Sequence, residues 1–277
     1  MTEGKGKITI TDDFLFGTIM KHKEYCVPLL ELILKKKIKD IVYVNNQETM
    51  EAAVPSSKSI RLDVYVEDDE KTVYDIEIQT TKKRGLRKRT RLYQALIDIR
   101  AMGKGEDYTR LKKSFIIFIC TYDPFGKKRY VYTFEKRCNE DSSISLNDDA
   151  TVIFINIMGS VGEISPEMKN VIDYFREGKA DDEYTSSLEK QVENYNNDEN
   201  WRLERMLLSE AYRNERNIGK YSHVVSMIRD AIGEFSTMQM AKIFKVNKKF
   251  CDETVKCMKE HPEWSDDQVI DAVDWDD

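Results

Sequence analysis

Asp63, Glu77 and Gln79 are the residues whose types and spacing carry the most chemistry. They fall in two short stretches, Ile60-Arg-Leu-Asp-Val-Tyr-Val66 and Tyr74-Asp-Ile-Glu-Ile-Gln79, in which apolar and polar residues alternate. Two carboxylates and an amide oxygen brought to one place form a donor set for a hard cation. Mg²⁺ or Mn²⁺ takes oxygen ligands and usually keeps several waters, so one or two protein carboxylates suffice. An ion held there lowers the pKa of a bound water and neutralises the charge that builds on a phosphodiester during hydrolysis. Gln79 would orient the water or the phosphate; it cannot act as a general base.

The period-2 alternation predicts two strands. Asp68-Asp69-Glu70-Lys71 between them is polar and turn-like, which makes an antiparallel hairpin the natural pairing. For the apolar faces to coincide, paired residue numbers must sum to an even value, as Leu62 with Ile78 does, and the loop must be odd or bulged near Glu70. Asp63, Glu77 and Gln79 then project from one face. A solvated hairpin face has the same pattern. The distinguishing feature is adjacency, because seven of the ten residues from Lys82 to Arg91 are basic. Cations of this kind supply most sequence-independent affinity for nucleic acid, although such a run is also an ordinary solvated loop.

The remaining elements read as an α/β fold, a mixed β-sheet flanked by helices, followed by an all-helical C-terminal region. Thr11 to Lys37 predicts one or two helices, with Thr11, Asp12 and Asp13 as cap and first-turn charge, and Ile41 to Val44 a short strand. The basic run merges into a helix carrying Leu92, Tyr93, Leu96, Ile97 and Ile99, with Gly103 as its stop. Ser114 to Tyr122 is continuous enough in apolar residues to be a strand covered on both faces. Strands follow at Arg129 to Phe134 and Thr151 to Ile157, then a helix at Pro166 to Phe175. A long charged helix runs from Asp181 to about Arg216, with a break expected in the Asn-rich stretch Glu193 to Asn200. Met238 to Val246 and Asp252 to Val273 complete the helical region. Glu234 to Asn247 has a faint helix-turn-helix pattern, but Asp252, Glu253 and Glu260 on the next helix suit DNA poorly and favour a packing unit.

Composition narrows the classes. Of 277 residues, 40% are hydrophobic and 10% aromatic, enough for a sizeable core and too many for a disordered chain. The longest apolar run, around Phe115 to Cys120, falls far short of the roughly 20 residues of a membrane span, so no membrane partner is expected. Met1 to Lys7 is not followed by an apolar signal region, which makes the cytoplasm the expected location. The five cysteines show no CxxC spacing and read as reduced structural thiols, and the three histidines have no zinc-ligand spacing. The net charge of −6 from 44 basic and 50 acidic residues conceals a segregation: the final seven residues hold four aspartates and no cation.

Arg61-Leu-Asp63 followed fourteen residues later by Glu77-Ile-Gln79 resembles the PD-(D/E)XK nuclease signature in an E-x-Q form. With Thr11-Asp-Asp-Phe-Leu-Phe16 upstream and Arg89-x-x-x-Tyr93 on the following helix, residues 8 to 160 resemble the PD-(D/E)XK nuclease family transposases. That group includes the recombination-promoting (Rpn-like) nucleases. The resemblance implies a restriction-endonuclease-like core over residues 1–160, a helical region over 161–277, and Mg²⁺- or Mn²⁺-dependent cleavage of DNA. It makes Asp63 and Glu77 metal ligands and puts Gln79 where a lysine is usual. Arg89 and Tyr93 would contact phosphate or support the carboxylates, with Lys88 on the DNA backbone. Asp13 matches an N-terminal acidic position, and a helix-capping role is open for it equally. No proline precedes Asp63, and Gln79 removes a charge that would stabilise the transition state. A catalytically weak or inactive nuclease-derived module for DNA binding or protein interaction is the alternative. Because two cuts need two sites, a homodimer is the assembly that the resemblance allows.

Overall fold

The computed structural model describes residues 7–44, 63–82, 85–103 and 105–273, with the backbone alone at 208–220, 222, 267 and 271. The pairing expected of Leu62, two cations of the basic run (Lys83 and Arg84) and the end of the acidic tail lie outside the described residues. The chain divides into two compact units, Met1–Glu199 and Asn200–Asp277.

The first unit contains α1 (Asp13–Ile19), α2 (Lys23–Leu34), β1 (Ile41–Tyr43), β2 (Val64–Asp68), β3 (Val73–Gln79), α3 (Leu86–Ala101), β4 (Ser114–Cys120), β5 (Val131–Phe134), β6 (Ala150–Asn156), α4 (Pro166–Glu177) and α5 (Glu183–Asn197). The strands form one mixed sheet in the order β1-β2-β3-β4-β6-β5. β2 and β3 pair antiparallel with Val64 opposite Ile76 and Tyr65 opposite Asp75, the even-sum register that the alternation requires. The Asp68 N–H donates to the Thr72 carbonyl (2.9 Å) and closes an odd loop of Asp69, Glu70 and Lys71. Lys71 takes the left-handed conformation (φ 66°) usual at the end of a three-residue hairpin loop.

β3 and β4 are parallel neighbours, so the chain must cross over between them, and α3 is that crossover. It covers the sheet face carrying Tyr65, Val73, Ile116, Phe118 and Phe154, burying Leu86, Tyr93, Leu96 and Ile97 against it. Phe118 stacks on Tyr93 (5.9 Å between ring centroids) and Phe154 (5.3 Å). Leu29 and Ile33 of α2, with Met168, Val171 and Phe175 of α4, meet Ile119 and Ile155 on the opposite face. Covered on both sides, β4 is the continuous apolar strand its sequence predicts. Leu92 and Ile99 depart from expectation. They lie seven apart on the outer flank of α3 and are 48% and 64% exposed, because the buried stripe runs through Tyr93, Leu96 and Ile97 instead.

The expected break falls at Asp198, between α5 and α6 (Glu199–Ala231). α6 continues well past Arg216, beyond the end read from its charge pattern. In the second unit, Val225 and Ile228 of α6, Met240 of α7 (Thr237–Phe244), Phe250 and Cys251 of α8 (Lys248–Glu260) and Val269 of α9 (Asp266–Ala272) share one apolar core. Ser236 with Gln239 and Ser265 with Gln268 form capping boxes that start α7 and α9. Lys248, Lys249 and Lys256 of α8 pair with its own Asp252, Glu253 and Glu260. All five cysteines are free thiols. Among the described residues no helix is long and apolar enough to cross a membrane.

Candidate active site

β3 lies inside the sheet, and its odd-numbered residues Val73, Asp75, Glu77 and Gln79 face α3 by the two-residue period of a strand. Asp63 stands immediately before β2, where continuation of the register brings it opposite Glu77. The contact is direct: the Asp63 backbone N–H donates to Oε1 of Glu77 (3.2 Å).

α3 supplies the other half. Gly85 opens the helix in a left-handed conformation (φ 85°) that L side chains rarely adopt. Arg89 and Tyr93 are four residues apart and therefore share a face, the one turned to the sheet. Arg89 Nη1 donates to Oε1 of Gln79 (2.8 Å), and Nη2 donates to Oε2 of Glu77 (3.2 Å) and meets the Tyr93 hydroxyl. The Tyr93 hydroxyl donates to the same Glu77 oxygen (3.2 Å). Nε2 of Gln79 donates to the Thr81 carbonyl (3.0 Å), which fixes the amide with its oxygen toward Arg89. Glu77 is 4% exposed and Gln79 5%, so these two groups are shielded from bulk water, while Arg89 is partly exposed.

Burial shapes its electrostatics. Desolvation first, and then the negative charge of Asp63, push the Glu77 carboxyl up to about 8 against the opposing pull of Arg89. Tyr93 is raised above its ordinary value by burial and by the charge of Glu77, and so stays a hydrogen-bond donor. Asp75 is completely buried, and neither of its carboxylate oxygens has a hydrogen-bond partner among the described residues. Desolvation, followed by the charges of Glu77 and Asp63, holds Asp75 well above the usual carboxylate range.

The structure brings Asp63, Glu77, Gln79, Arg89 and Tyr93 together. Arg89 supports the carboxylate and amide of the site, and Tyr93 is a buried brace at 4% exposure. Lys88 is exposed on α3, outside the hydrogen-bonded set. Asp13 is exposed in the first turn of α1, where its carboxylate accepts from the Phe14 N–H (2.9 Å), and the cap itself is Asp12, accepting from Leu15 (3.0 Å). Asp75 is a residue of this cluster that the motif spacing does not single out. It does belong to the same alternating set as Glu77 and Gln79.

The donors fit a hard divalent cation. Oε1 of Glu77 accepts one hydrogen bond and keeps a second acceptor direction, and Asp63 adds a carboxylate beside it. Among the described residues no group of three or more His, Cys, Asp or Glu side chains is arranged for a metal, so water or substrate oxygens would complete the shell.

A mixed six-stranded sheet between helices, with an acid and an amide at the end of its central parallel pair, defines a restriction-endonuclease-like α/β core. The chain belongs to the PD-(D/E)XK nuclease family transposases: residues 13–168 match the model of that family. No curated protein and no solved structure matches the chain.

Proposed function

We propose that this protein is a metal-dependent DNA endonuclease that acts in DNA recombination. The observation that carries the reading is the shared anchoring of Glu77 and Gln79 by Arg89, with Asp63 at the same carboxylate. Asp63 and Glu77 would hold Mg²⁺ or Mn²⁺, which supplies a bound water of lowered pKa and neutralises charge on the phosphodiester. Gln79 presents its amide to the water or phosphate. Tyr93 holds Glu77 in orientation, as outer-sphere partners of metal ligands do. Arg89 supplies the positive charge that Gln79 lacks, and Lys88 meets the DNA backbone. A homodimer would provide the two sites that cutting both strands needs.

Incubation of supercoiled plasmid with the protein and Mg²⁺ or Mn²⁺ should produce nicked or linear DNA, and Asp63→Ala and Glu77→Ala should remove that activity without unfolding the chain. Retained cleavage in either variant would sink the assignment.

One observation favours a second reading, a DNA-binding or interaction module with a weak or silent site. Arg89 sits on the carboxylate that a metal needs, so the ion must compete with a guanidinium already in place. Steeply salt-dependent DNA binding without metal-dependent strand breakage would favour that module.

A further inference from the structure

We propose that the loop between β4 and β5, at residues 121–130, forms with the first turns of α3 a single surface that grips the phosphate backbone of duplex DNA. The proposal rests on the nuclease reading above and names a second set of substrate contacts for the same site, far along the chain from the basic run.

The sheet places the loop. β3 and β4 are parallel with Gln79 opposite Cys120, so the chain leaves β4 at the end of the sheet where Gln79 lies. Thr121 then donates from its N–H to the Gln79 carbonyl (3.1 Å) and from its hydroxyl to the Thr80 carbonyl (3.0 Å). The loop begins in contact with the site strand.

The loop is also built to hold a shape. Asp123 accepts hydrogen bonds from the N–H groups of Phe125 (3.0 Å) and Lys128 (2.7 Å) and from the Tyr132 hydroxyl (2.9 Å). The Tyr132 oxygen accepts in turn from the N–H groups of Lys127 (3.3 Å) and Arg129 (3.2 Å). Three consecutive basic residues therefore have their backbone fixed by one buried tyrosine and one aspartate. α3 docks on the same loop: Arg87 donates to the Pro124 carbonyl (2.9 Å), and its guanidinium lies 4.5 Å above the Phe125 ring.

Six cations with no ion pair among the described residues are gathered on these two docked elements. Among the described residues no carboxylate forms an ion pair with Arg87, Lys88, Arg91, Lys127, Lys128 or Arg129, and Lys127, Lys128 and Arg129 are exposed. Several exposed cations elsewhere in this unit are matched, as Lys7 is by Glu189, Arg110 by Glu106 and Lys179 by Glu177, while Lys21, Lys35, Lys39 and Lys190 form no ion pair among the described residues. Positive charge left without counter-charges on two rigid, mutually docked elements beside a site for phosphodiesters fits a polyanion that approaches from solvent. The acidic total of the chain does not oppose it, because exposed charges beyond roughly 10 Å are screened at ordinary ionic strength.

The test uses the full chain in EDTA with a labelled duplex of about 30 base pairs, whose affinity is followed as salt is raised. Lys127→Gln/Lys128→Gln is compared with wild type and with Lys136→Gln/Lys179→Gln, the same change of net charge at two lysines held by Asp148 and Glu177. If both loop lysines meet phosphates, the loop variant should reduce the slope of log K against log salt by about 1.8 and bind about tenfold more weakly at moderate salt, while the control keeps the wild-type slope. Wild-type binding with an unchanged slope in the loop variant overturns this proposal and leaves the nuclease reading standing. Absence of wild-type binding at low salt overturns both. Tighter binding of polyglutamate than of duplex, lost in the same variant, would overturn it in favour of an acidic protein partner.

Discussion

Arg89 lies 3.2 Å from Oε2 of Glu77, and its other terminal nitrogen lies 2.8 Å from Oε1 of Gln79, so one guanidinium spans both polar residues of the E-x-Q pair. A fork of N–H donors suits this task in a way that the single ammonium of a lysine does not. It also couples the strand to α3 through charge.

Removing that fork should therefore destabilise the protein. Above about pH 8, where Glu77 is ionised, Arg89→Gln leaves its carboxylate buried with only its tyrosine and backbone donors, a loss of about 2 kcal/mol once the partial exposure of Arg89 is allowed for. Glu77→Gln in the same chain should recover part of the loss. Denaturant unfolding of the two single variants and the double variant gives the coupling, and strict additivity would show that the pair contributes nothing to stability.

Asp75 makes stability depend on pH in an uncommon direction. Its folded-state pKa is raised, so the folded chain keeps a proton that the unfolded chain has released above about pH 4. The stability this contributes is present in acid and is lost as pH rises toward the folded-state value. Glu77, raised to about 8, acts in the same sense across the same window. Asp75→Asn removes the first of these penalties. Relative to wild type, the variant should gain stability with rising pH, at up to about 1.4 kcal/mol per unit. Urea unfolding at several pH values measures it, and a constant offset would exclude a titrating Asp75.

Tyr93 tests the support of the ligand separately from its charge. Tyr93→Phe keeps the ring that stacks on Phe118 and deletes only the hydroxyl that donates to Glu77. Half-saturating Mg²⁺ in the plasmid assay should rise by about tenfold, the usual cost of an outer-sphere partner, with the maximal rate less affected. An unchanged metal requirement would remove Tyr93 from the site.

Gln79→Lys would restore the residue usual in the wider nuclease class, yet the structure predicts no gain. Oε1 of Gln79 accepts from Arg89, and an ammonium there would face a guanidinium across the same gap. Loss of that hydrogen bond together with like-charge repulsion should cost about 1–3 kcal/mol and slow cleavage. Thermal unfolding and plasmid nicking measured side by side decide the point, since faster cleavage would mean that Arg89 yields its place.

Much of this is legible in the amino-acid sequence alone. Alternation from Leu62 to Val66 and from Tyr74 to Gln79 determines the parity of the hairpin register, because a slip of one residue would part Asp63 from the face that carries Asp75, Glu77 and Gln79. The Asn-rich stretch before Asn200 marked a helix break, and the apolar run from Phe115 to Cys120 marked a strand buried on both faces. These are local properties, decided by periodicity and by the conformational preferences of a few residues.

Tertiary structure decided the rest. Arg89 reads in sequence as one of seven cations with a common purpose, but the helix turns through about 100° per residue, so Arg89 faces the sheet while Arg87, Lys88 and Arg91 stay exposed. Leu92 and Ile99 look like core residues until the position of the sheet sets which stripe of α3 is covered. Asp75 shares its alternation with Glu77, and only the seating of α3 over β3 removes its water and leaves both oxygens without a partner. The loop that carries Lys127 to Arg129 starts beside Gln79 only because two parallel strands end together. Sequence determines what repeats over a few residues; which faces lose water, and which distant segments become neighbours, depends on packing between elements that no local pattern encodes.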